Sequence, residues 1–132
     1  MTTPSTTIFR RGDIVLVPFE FTDRPIRKRR PALVISSEAY HKARQDVIIA
    51  AITSRMRRPL LYGDHLIGQW QQGGLLKPSV MTAIVRTVKG TMISRRLGRL
   101  ARTDMEAVDA RLARALDLRI AHRQAGKGTS NA

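Results

Sequence analysis

A cationic loop runs without a break into an apolar strand at residues 24–36, Arg24-Pro25-Ile26-Arg27-Lys28-Arg29-Arg30-Pro31-Ala32-Leu33-Val34-Ile35-Ser36. Five of the first seven residues are cationic, and Pro25 and Pro31 restrict the backbone near the two ends of the loop. Like charges crowded on one loop repel each other unless a polyanion or counterions relieve them. A solvated, disordered charge run is the plainer alternative. The prolines and the strand that follows favour a loop held in place for a polyanionic partner.

The charge of the whole chain agrees with this interpretation. Its 132 residues include 24 Lys and Arg against 10 Asp and Glu, which gives a net charge of +14. So basic a chain indicates nucleic acid as the first candidate partner, ahead of an anionic membrane or an acidic protein. Apolar residues make up 42% of the chain, which is typical of a globular protein and too high for a disordered one. The length predicts a single domain.

The absence of cysteine excludes disulfides, thiol catalysis and cysteine-ligated zinc, and it suits a reducing compartment. Residues 1–7 lack the apolar core of a signal peptide. No apolar run approaches the roughly 20 residues that a spanning helix needs. The sequence therefore predicts a cytoplasmic protein with no membrane association. We expect a flexible arm at 1–9, a single domain at 10–122 and a disordered tail at 123–132.

Short apolar runs bounded by turn residues predict several closely spaced strands. These lie at 14–19, 32–36, 46–53, 60–67 (a weaker candidate), 79–85 and from 91 onward. Pro18 suggests an edge strand or a bulge, and residues 37–45 form either a long turn or a short helix. Many short strands at such spacing favour a small barrel or a curled sheet.

The C-terminal part of the chain changes to a helical period. Thr103 and Glu106 have the spacing of a capping box, with Thr103 as the N-cap. Apolar residues then recur at helical spacing on one face, at Met105, Val108, Leu112, Leu116 and Ile120. The pattern predicts a helix over about 103–121, with Arg119 in its last turn. The fold class is therefore mainly β with a C-terminal α-helix.

Two of the predicted strands imply a specific juxtaposition. If 32–36 and 47–52 are adjacent and antiparallel, pairing Ser36 with Val47 also pairs Leu33 with Ala50. The same register then sets Arg30 against Thr53 at one end of the sheet, where a second cationic loop begins at Arg55. A guanidinium and a hydroxyl would meet there among positive charges. The alternative is that Thr53 is only a β-branched residue at a strand end.

An ordered set of segments resembles the MazF/PemK family of type II toxins, which is related to Kid and CcdB. The segments are Arg11–Phe19, Arg30–Ser36, Ala50–Ser54, Gly74–Val80 and Leu97–Leu100. The resemblance covers roughly residues 10–118, and no single segment is specific on its own. It implies a curled SH3-like barrel with a C-terminal helix, assembled as a homodimer. It also implies a ribosome-independent endoribonuclease that cuts single-stranded RNA at short motifs, held inactive by a cognate antitoxin whose acidic tail occupies the RNA groove.

The resemblance carries two catalytic residues onto this chain. Arg30 matches the family arginine that precedes the apolar strand, and Thr53 matches the hydroxyl residue that ends the next strand. Cleavage by the neighbouring 2′-hydroxyl passes through a phosphorane with extra negative charge, which a fixed guanidinium stabilises. No metal and no cofactor is expected. Some relatives carry an aspartate where this chain has Ser79, so Ser79 is a candidate for phosphate binding or simple packing.

The remaining candidates surround these two residues. His65 has a pKa suited to proton transfer but is more often structural in such a position, and His41 and His122 are weaker candidates. Trp70 either stacks on a base or packs in the core or a dimer interface. The residues expected to bind the RNA backbone are Arg27, Lys28, Arg29, Ser54, Arg55, Arg57 and Lys77. Glu20 and Asp23 border the basic loop and are candidates for orienting Arg30.

Two other functions remain open on the same fold. One is a module that binds nucleic acid without cutting it. The other is a poison of DNA gyrase, which acts through protein–protein contact and does not need cationic loops at the strand ends.

Overall fold

The structure, a computed structural model, describes residues 8–18, 28–55 and 59–119. Within these ranges the strands are β1 (Asp13–Pro18), β2 (Arg29–Val34), β3 (Asp46–Thr53), β4 (His65–Leu66), β5 (Val80–Lys89) and β6 (Arg95–Arg99). Two α-helices, α1 (Glu38–Arg44) and α2 (Arg102–Leu116), and a 3-10 turn at Gly90–Met92 complete the described elements.

All neighbouring strands pair antiparallel in one curled sheet with the order β4-β5-β3-β2-β1-β6. The sheet forms a half-barrel, and α2 follows its last strand. The predicted fold class, a curled antiparallel barrel with a C-terminal helix, is therefore confirmed. The predicted register of the central pair is also confirmed, because Leu33 faces Ala50 across β2 and β3.

The two faces of the sheet carry separate apolar clusters, as side-chain alternation along each strand requires. The first cluster contains Phe9, Val15, Val17, Ala32, Val34, Val47, Ile49, Ala51 and Ile93. The second cluster lies under α2 and contains Ile14, Leu33, Ala50, Ile52, Ile67, Leu75, Met81, Leu100, Val108 and Leu112. Each central strand therefore buries both faces, which explains its nearly continuous apolar sequence.

Several predicted element boundaries are wrong. Of the candidate strand at 60–67 only His65–Leu66 forms, because the preceding residues turn at Gly63, whose φ is +96°. The strand predicted from 91 starts at Arg95, after the 3-10 turn. Residues 37–45 contain a short helix, α1, which Ser37 caps by accepting a 3.1 Å bond from Tyr40 N.

Pro18 does not mark a bulge or an edge strand. β1 lies between β2 and β6, and its register with β6 shifts between Ile14 and Val15. Pro18 is the last residue of β1, past the last β6 pair at Leu16. Its missing N–H therefore costs no ladder bond to β6.

Helix α2 differs from its prediction at both ends. The N-cap is Ala101, so Thr103 lies inside the first turn and the predicted capping box is wrong. The helix ends at Leu116, where Asp117 adopts the left-handed conformation with φ of 57°. Arg119 is therefore outside the helix, and Ile120 lies outside the described residues. No helix in the described ranges is both long enough and apolar enough to span a membrane.

The apolar face predicted for α2 is only partly confirmed. Val108 and Leu112 are buried in the second cluster, and Met105 packs against it. Leu116 is 60% exposed instead of continuing that face.

A close backbone approach fixes the loop that precedes β5 against the edge strand β6. Gly74 has a φ of +87°, and a Cβ there would collide with the carbonyl group of Leu97. A Cβ on Gly98 would likewise collide with the carbonyl group of Gly73. Only glycine allows this contact, which holds the loop carrying Trp70 in place.

Candidate nucleic-acid interface

Termini of all six strands meet at one end of the sheet, because neighbouring strands are antiparallel. The pairs Pro18–Arg29, Leu16–Arg95, Thr53–Val80 and Leu66–Val80 bring together the ends of β1, β3 and β4 and the starts of β2, β5 and β6. This basic end carries Lys28, Arg29, Arg30, Arg55, Lys77 and Arg95. Among the described residues within three positions of these termini, the only acidic one is Asp64, which is buried just before β4. Such a concentration of one charge creates a field that attracts polyanions.

Arg30 and Thr53 both lie at the basic end, where β2 starts and β3 ends. The β2–β3 pairs run only from Val34–Ile49 to Ala32–Ala51, and further out Arg30 pairs with Val17 of β1 and Thr53 with Val80 of β5. Alternation places both side chains on the face of the first cluster, because Ala32 and Ala51 belong to that cluster. Both residues are half-buried.

The hydroxyl of Thr53 is set up to donate a hydrogen bond. Its Oγ1 accepts a 3.1 Å bond from Arg55 N, in a short turn just after β3. Among the described residues this hydroxyl donates no hydrogen bond, so its proton remains available for an anionic ligand. A guanidinium and a hydroxyl donor on one face of a basic sheet end can together hold a phosphate.

Ser79 precedes β5, next to the residue that pairs with Thr53. Its side chain is buried and donates a 2.9 Å bond to the carbonyl oxygen of Lys77. With its proton used in this way, the hydroxyl oxygen presents only lone pairs to any ligand. This arrangement favours the packing alternative for Ser79 over phosphate binding.

The predicted backbone-binding residues fall into two groups. Lys28, Arg29, Ser54, Arg55 and Lys77 are exposed at the basic end. Arg27 and Arg57 lie outside the described residues, as do His122, Glu20 and Asp23. Sequence reasoning missed Arg95, since the strand that starts with it was expected to begin at residue 91.

Arg96 and Arg99 share a buried carboxylate. Their guanidinium groups lie 3.5 Å and 3.1 Å from Asp13 Oδ1, respectively. Asp13 is only 1% exposed and also accepts a 2.8 Å bond from Arg10 N through Oδ2. The start of β1 is thereby tied to β6, and the guanidinium of Arg96 is directed away from the basic end.

Trp70 and His65 belong to the other face of the sheet. Trp70 is half-buried and packs against the second cluster, which favours core packing over base stacking. His65 Nε2 lies 2.8 Å from Asp104 Oδ1 in the first turn of α2. Neither side chain shares the face of Arg30 and Thr53.

The Asp104 carboxylate organises the segment between β4 and the Trp70 loop. It accepts 2.8 Å and 2.9 Å bonds from Gly68 N and Gln69 N, in addition to His65. Burial alone would raise the pKa of Asp104, but these donors outweigh burial and hold it below the ordinary value of 3.8. Sequence reasoning assigned no role to Asp104, which lies between the two residues of the predicted capping box. No local signal reveals bonds to residues more than thirty positions earlier.

His41 has a structural role at the opposite end of the sheet. Its Nδ1 lies 3.0 Å from the carbonyl oxygen of Phe9, and its Nε2 lies 2.6 Å from Ser36 Oγ. A carbonyl only accepts, so Nδ1 carries a proton and donates to Phe9 O, while Nε2 is hydrogen-bonded to Ser36 Oγ. Ser36 in turn accepts a 2.8 Å bond from Ile48 N. The network joins α1, β3 and the segment before β1.

Comparisons with known proteins agree with this architecture. A mycobacterial endoribonuclease in complex with its cognate antitoxin is 20% identical, with a TM-score of 0.67 over 84% of this chain and 97% of that one. Mycobacterium tuberculosis toxin MazF-mt6 is 23% identical, with a TM-score of 0.66 over 82% and 99%. A MazE–MazF structure from Deinococcus radiodurans is 22% identical, with a TM-score of 0.67 over 86% and 100%.

These structural likenesses establish the fold, and a sequence-based comparison establishes the family. A comparison with curated proteins finds no match. The model of the PemK-like, MazF-like toxins matches residues 10–116, which is most of the chain. The chain belongs to the PemK-like, MazF-like family of toxins of type II toxin–antitoxin systems.

Proposed function

We propose that this toxin is a metal-independent endoribonuclease that cleaves single-stranded RNA at short sequence motifs. The observation that carries the proposal is that Arg30 and Thr53 lie on one face of adjacent strands, at a sheet end that gathers cations from several strand termini. RNA recognised at such a surface is held mainly through its phosphates. The family and the endoribonuclease named among its structural neighbours support the assignment.

In the proposed reaction the 2′-hydroxyl attacks the adjacent phosphorus and the bond to the 5′-oxygen of the next nucleotide breaks. The products are a 2′,3′-cyclic phosphate and a 5′-hydroxyl. The guanidinium of Arg30 stabilises the extra charge on the phosphorane, and removal of such a donor costs about a hundredfold or more in rate. The free proton of Thr53 Oγ1 fixes a phosphate oxygen. Ser79 and His65 already bond to Lys77 and Asp104, so proton transfer is assigned to neither.

The proposal includes three further properties. The toxin acts in the cytoplasm as a homodimer, and a cognate antitoxin inhibits it by laying an acidic tail over the basic end. An acidic tail suits this surface because it offers the same charge as RNA. Binding of either polyanion should weaken steeply as salt rises, since counterions are released from the contacts.

The test is incubation of the purified protein with single-stranded RNA in EDTA, with 5′-hydroxyl products detected by kinase labelling. The wild type should cut, and Arg30→Ala should cut about a hundredfold more slowly. Arg44→Ala is the matched control, because Arg44 is exposed and lies before β3 at the opposite end of the sheet. Intact RNA with the wild type would overturn the nuclease proposal. Equal rates for wild type and Arg30→Ala would remove Arg30 from its role.

A further inference from the structure

A groove lies between α2 and the turn that precedes β4, on the α2 side of the sheet. It has a volume of about 300 Å³ and is lined by Leu60, Leu61, Tyr62, Gly63, Asp64, Arg111 and Arg114. Arg30 and Thr53 are on the opposite face, with the first cluster. The groove is therefore separate from the proposed cleavage site.

The turn that forms one wall of the groove is rigid. Asp64 N donates to the carbonyl oxygen of Leu61 and Asp64 Oδ2 accepts from Leu61 N, both at 3.0 Å. Between them Gly63 has a φ of +96° and packs so closely that a Cβ would lie 2.9 Å from that of Ala83. The same position would be 3.8 Å from the Cβ of Ala115 on α2. A wall fixed in advance lowers the entropic cost of binding a partner.

This wall exposes apolar surface. Leu61 is 55% exposed and Tyr62 is 75% exposed, and Leu60 lies beside them. Leu116 and Leu118, at the C-terminal end of α2, are also more than half exposed. Contiguous exposed apolar residues rimmed by polar ones are typical of interaction sites.

The other wall supplies positive charge without counter-charges. Within the described part of the chain, neither Arg111 nor Arg114 takes part in an ion pair. By contrast, Arg102 on the same helix pairs with Glu106 at 3.4 Å. Two free guanidinium groups beside Leu61 and Tyr62 fit carboxylates that flank apolar side chains.

The charge of the chain itself decides between possible occupants. Its own C-terminal segment, 120–132, contains Arg123 and Lys127 and no acidic residue, so Arg111 and Arg114 would repel it. A second copy of the chain has only 10 Asp and Glu against 24 Lys and Arg from which to supply carboxylates to Arg111 and Arg114. RNA offers phosphates but no aliphatic side chains for Leu60 and Leu61. An acidic peptide with apolar residues on one face satisfies both walls.

We propose that this groove is a second docking site for the antitoxin, which places there an amphipathic segment carrying carboxylates beside leucine-like or aromatic side chains. The identity of the partner as an antitoxin rests on the proposed function. The chemistry of the groove does not depend on the proposed function. Because the amphipathic segment and the acidic tail belong to one antitoxin chain, the two contacts would act as linked sites whose combined affinity exceeds that of either alone.

The test uses a fluorescent synthetic peptide with leucine and tryptophan at helical spacing and glutamate at the other positions. A peptide of the same composition in scrambled order is its control. The patterned peptide should bind the full-length protein with at least about tenfold higher affinity than the scrambled one. The double variant Arg111→Ala/Arg114→Ala, and separately Tyr62→Ala, should weaken binding of the patterned peptide by about tenfold.

A charge-matched variant tests whether the loss of two positive charges anywhere on the surface would weaken peptide binding equally. Arg102→Ala/Arg119→Ala takes the same charge from exposed positions outside the groove and should bind as the wild type does. Equal losses in both double variants, or no loss in either, would overturn the proposal. Thermal midpoints near that of the wild type show that each variant is folded.

Competition with single-stranded RNA and the molar mass of the protein test the two other possible occupants of the groove, RNA and a second copy of the chain. Displacement of the peptide by single-stranded RNA, together with loss of binding in Arg30→Ala, would locate binding at the basic end and overturn the proposal. Groove variants that convert a dimer to a monomer in light scattering would assign the groove to a second copy instead. RNA cleavage by Arg111→Ala/Arg114→Ala should match the wild type. If the wild type cuts no RNA, the nuclease proposal fails while peptide binding still tests the groove.

Discussion

His65 Nε2 and Asp104 Oδ1 lie 2.8 Å apart and join β4 to the first turn of α2. The same carboxylate accepts bonds from Gly68 N and Gln69 N, so three donors from one short segment converge on it. Asp104 is only 5% exposed, and desolvation would be costly without these bonds. The contact positions α2 over the second cluster and holds the start of the Trp70 loop.

Replacing Asp104 should therefore destabilise the fold although no apolar contact is lost. We expect Asp104→Asn to lower the free energy of unfolding by about 2 kcal/mol, because hydrogen bonds to a buried charge are lost. Urea unfolding followed by circular dichroism measures the change. Asp109→Asn is the control, since Asp109 pairs with Arg11 at the surface and should cost less than about 1 kcal/mol. Equal losses in the two variants would contradict the role given to Asp104.

The stability contributed by Asp104 should depend on pH in a defined window. Because its folded-state pKa lies below the ordinary value of 3.8, the unfolded chain binds this proton first as pH falls. The contribution is then complete above pH 3.8 and is lost progressively below it. The difference in unfolding free energy between wild type and Asp104→Asn should therefore stay constant at higher pH and shrink below 3.8. If this difference in unfolding free energy grew as the pH fell, the lowered pKa of Asp104 would be contradicted.

His65 should behave as a structural residue and not as an acid or base. We expect His65→Ala to lower the thermal midpoint, because Asp104 loses one of its donors. Its RNA cleavage rate, measured well below that midpoint, should stay within a few-fold of the wild type. A general acid or base would contribute about a hundredfold or more. A loss of that size with an unchanged thermal midpoint would make His65 catalytic.

The approach of the Gly73–Gly74 loop to β6 should tolerate no side chain. Gly74→Ala adds a Cβ that would lie 2.7 Å from the carbonyl carbon of Leu97, at a φ of +87°. We expect a loss of at least about 2 kcal/mol in urea unfolding. Gly90→Ala is the matched control, because its nearest neighbour would be Gln45 O at 3.6 Å, an ordinary contact. That variant should change stability by less than about 1 kcal/mol.

The sequence predicted the centre of the sheet well, for a physical reason. Asp46–Thr53 and the register of Leu33 with Ala50 follow from apolar runs that are buried on both faces. A one-residue slip would move the side chains of each strand from one cluster to the other, so the apolar pattern left few alternative registers. The placement of Arg30 and Thr53 at the same end of the sheet followed from the antiparallel order of β2 and β3.

The errors lie where contacts distant in sequence decide the local structure. Residues 60–64 look like a strand, but the turn closed by Asp64 and the packing of Gly63 on Ala83 override that preference. The start of α2 looks like a capping box, but Asp104 bonds to Gly68 and Gln69. Neither partner is recognisable from a window of neighbouring residues.

The hydroxyl of Thr53 gives the sharpest test of the proposed site. Thr53→Val keeps the β-branched shape at the end of β3 and removes the donor, so we expect RNA cleavage to fall by at least about tenfold. Thr53→Ser keeps the hydroxyl and should retain most of the rate. Ser79→Ala is the neighbouring control, because its proton is already used on Lys77 O and its loss should change the rate only a few-fold. Rates are compared on one labelled RNA in EDTA, at a temperature where all variants are folded. If the valine variant cuts as fast as the serine variant, the phosphate is not held by Thr53, and the presence of this residue with Arg30 at the basic end is only a feature of the sheet.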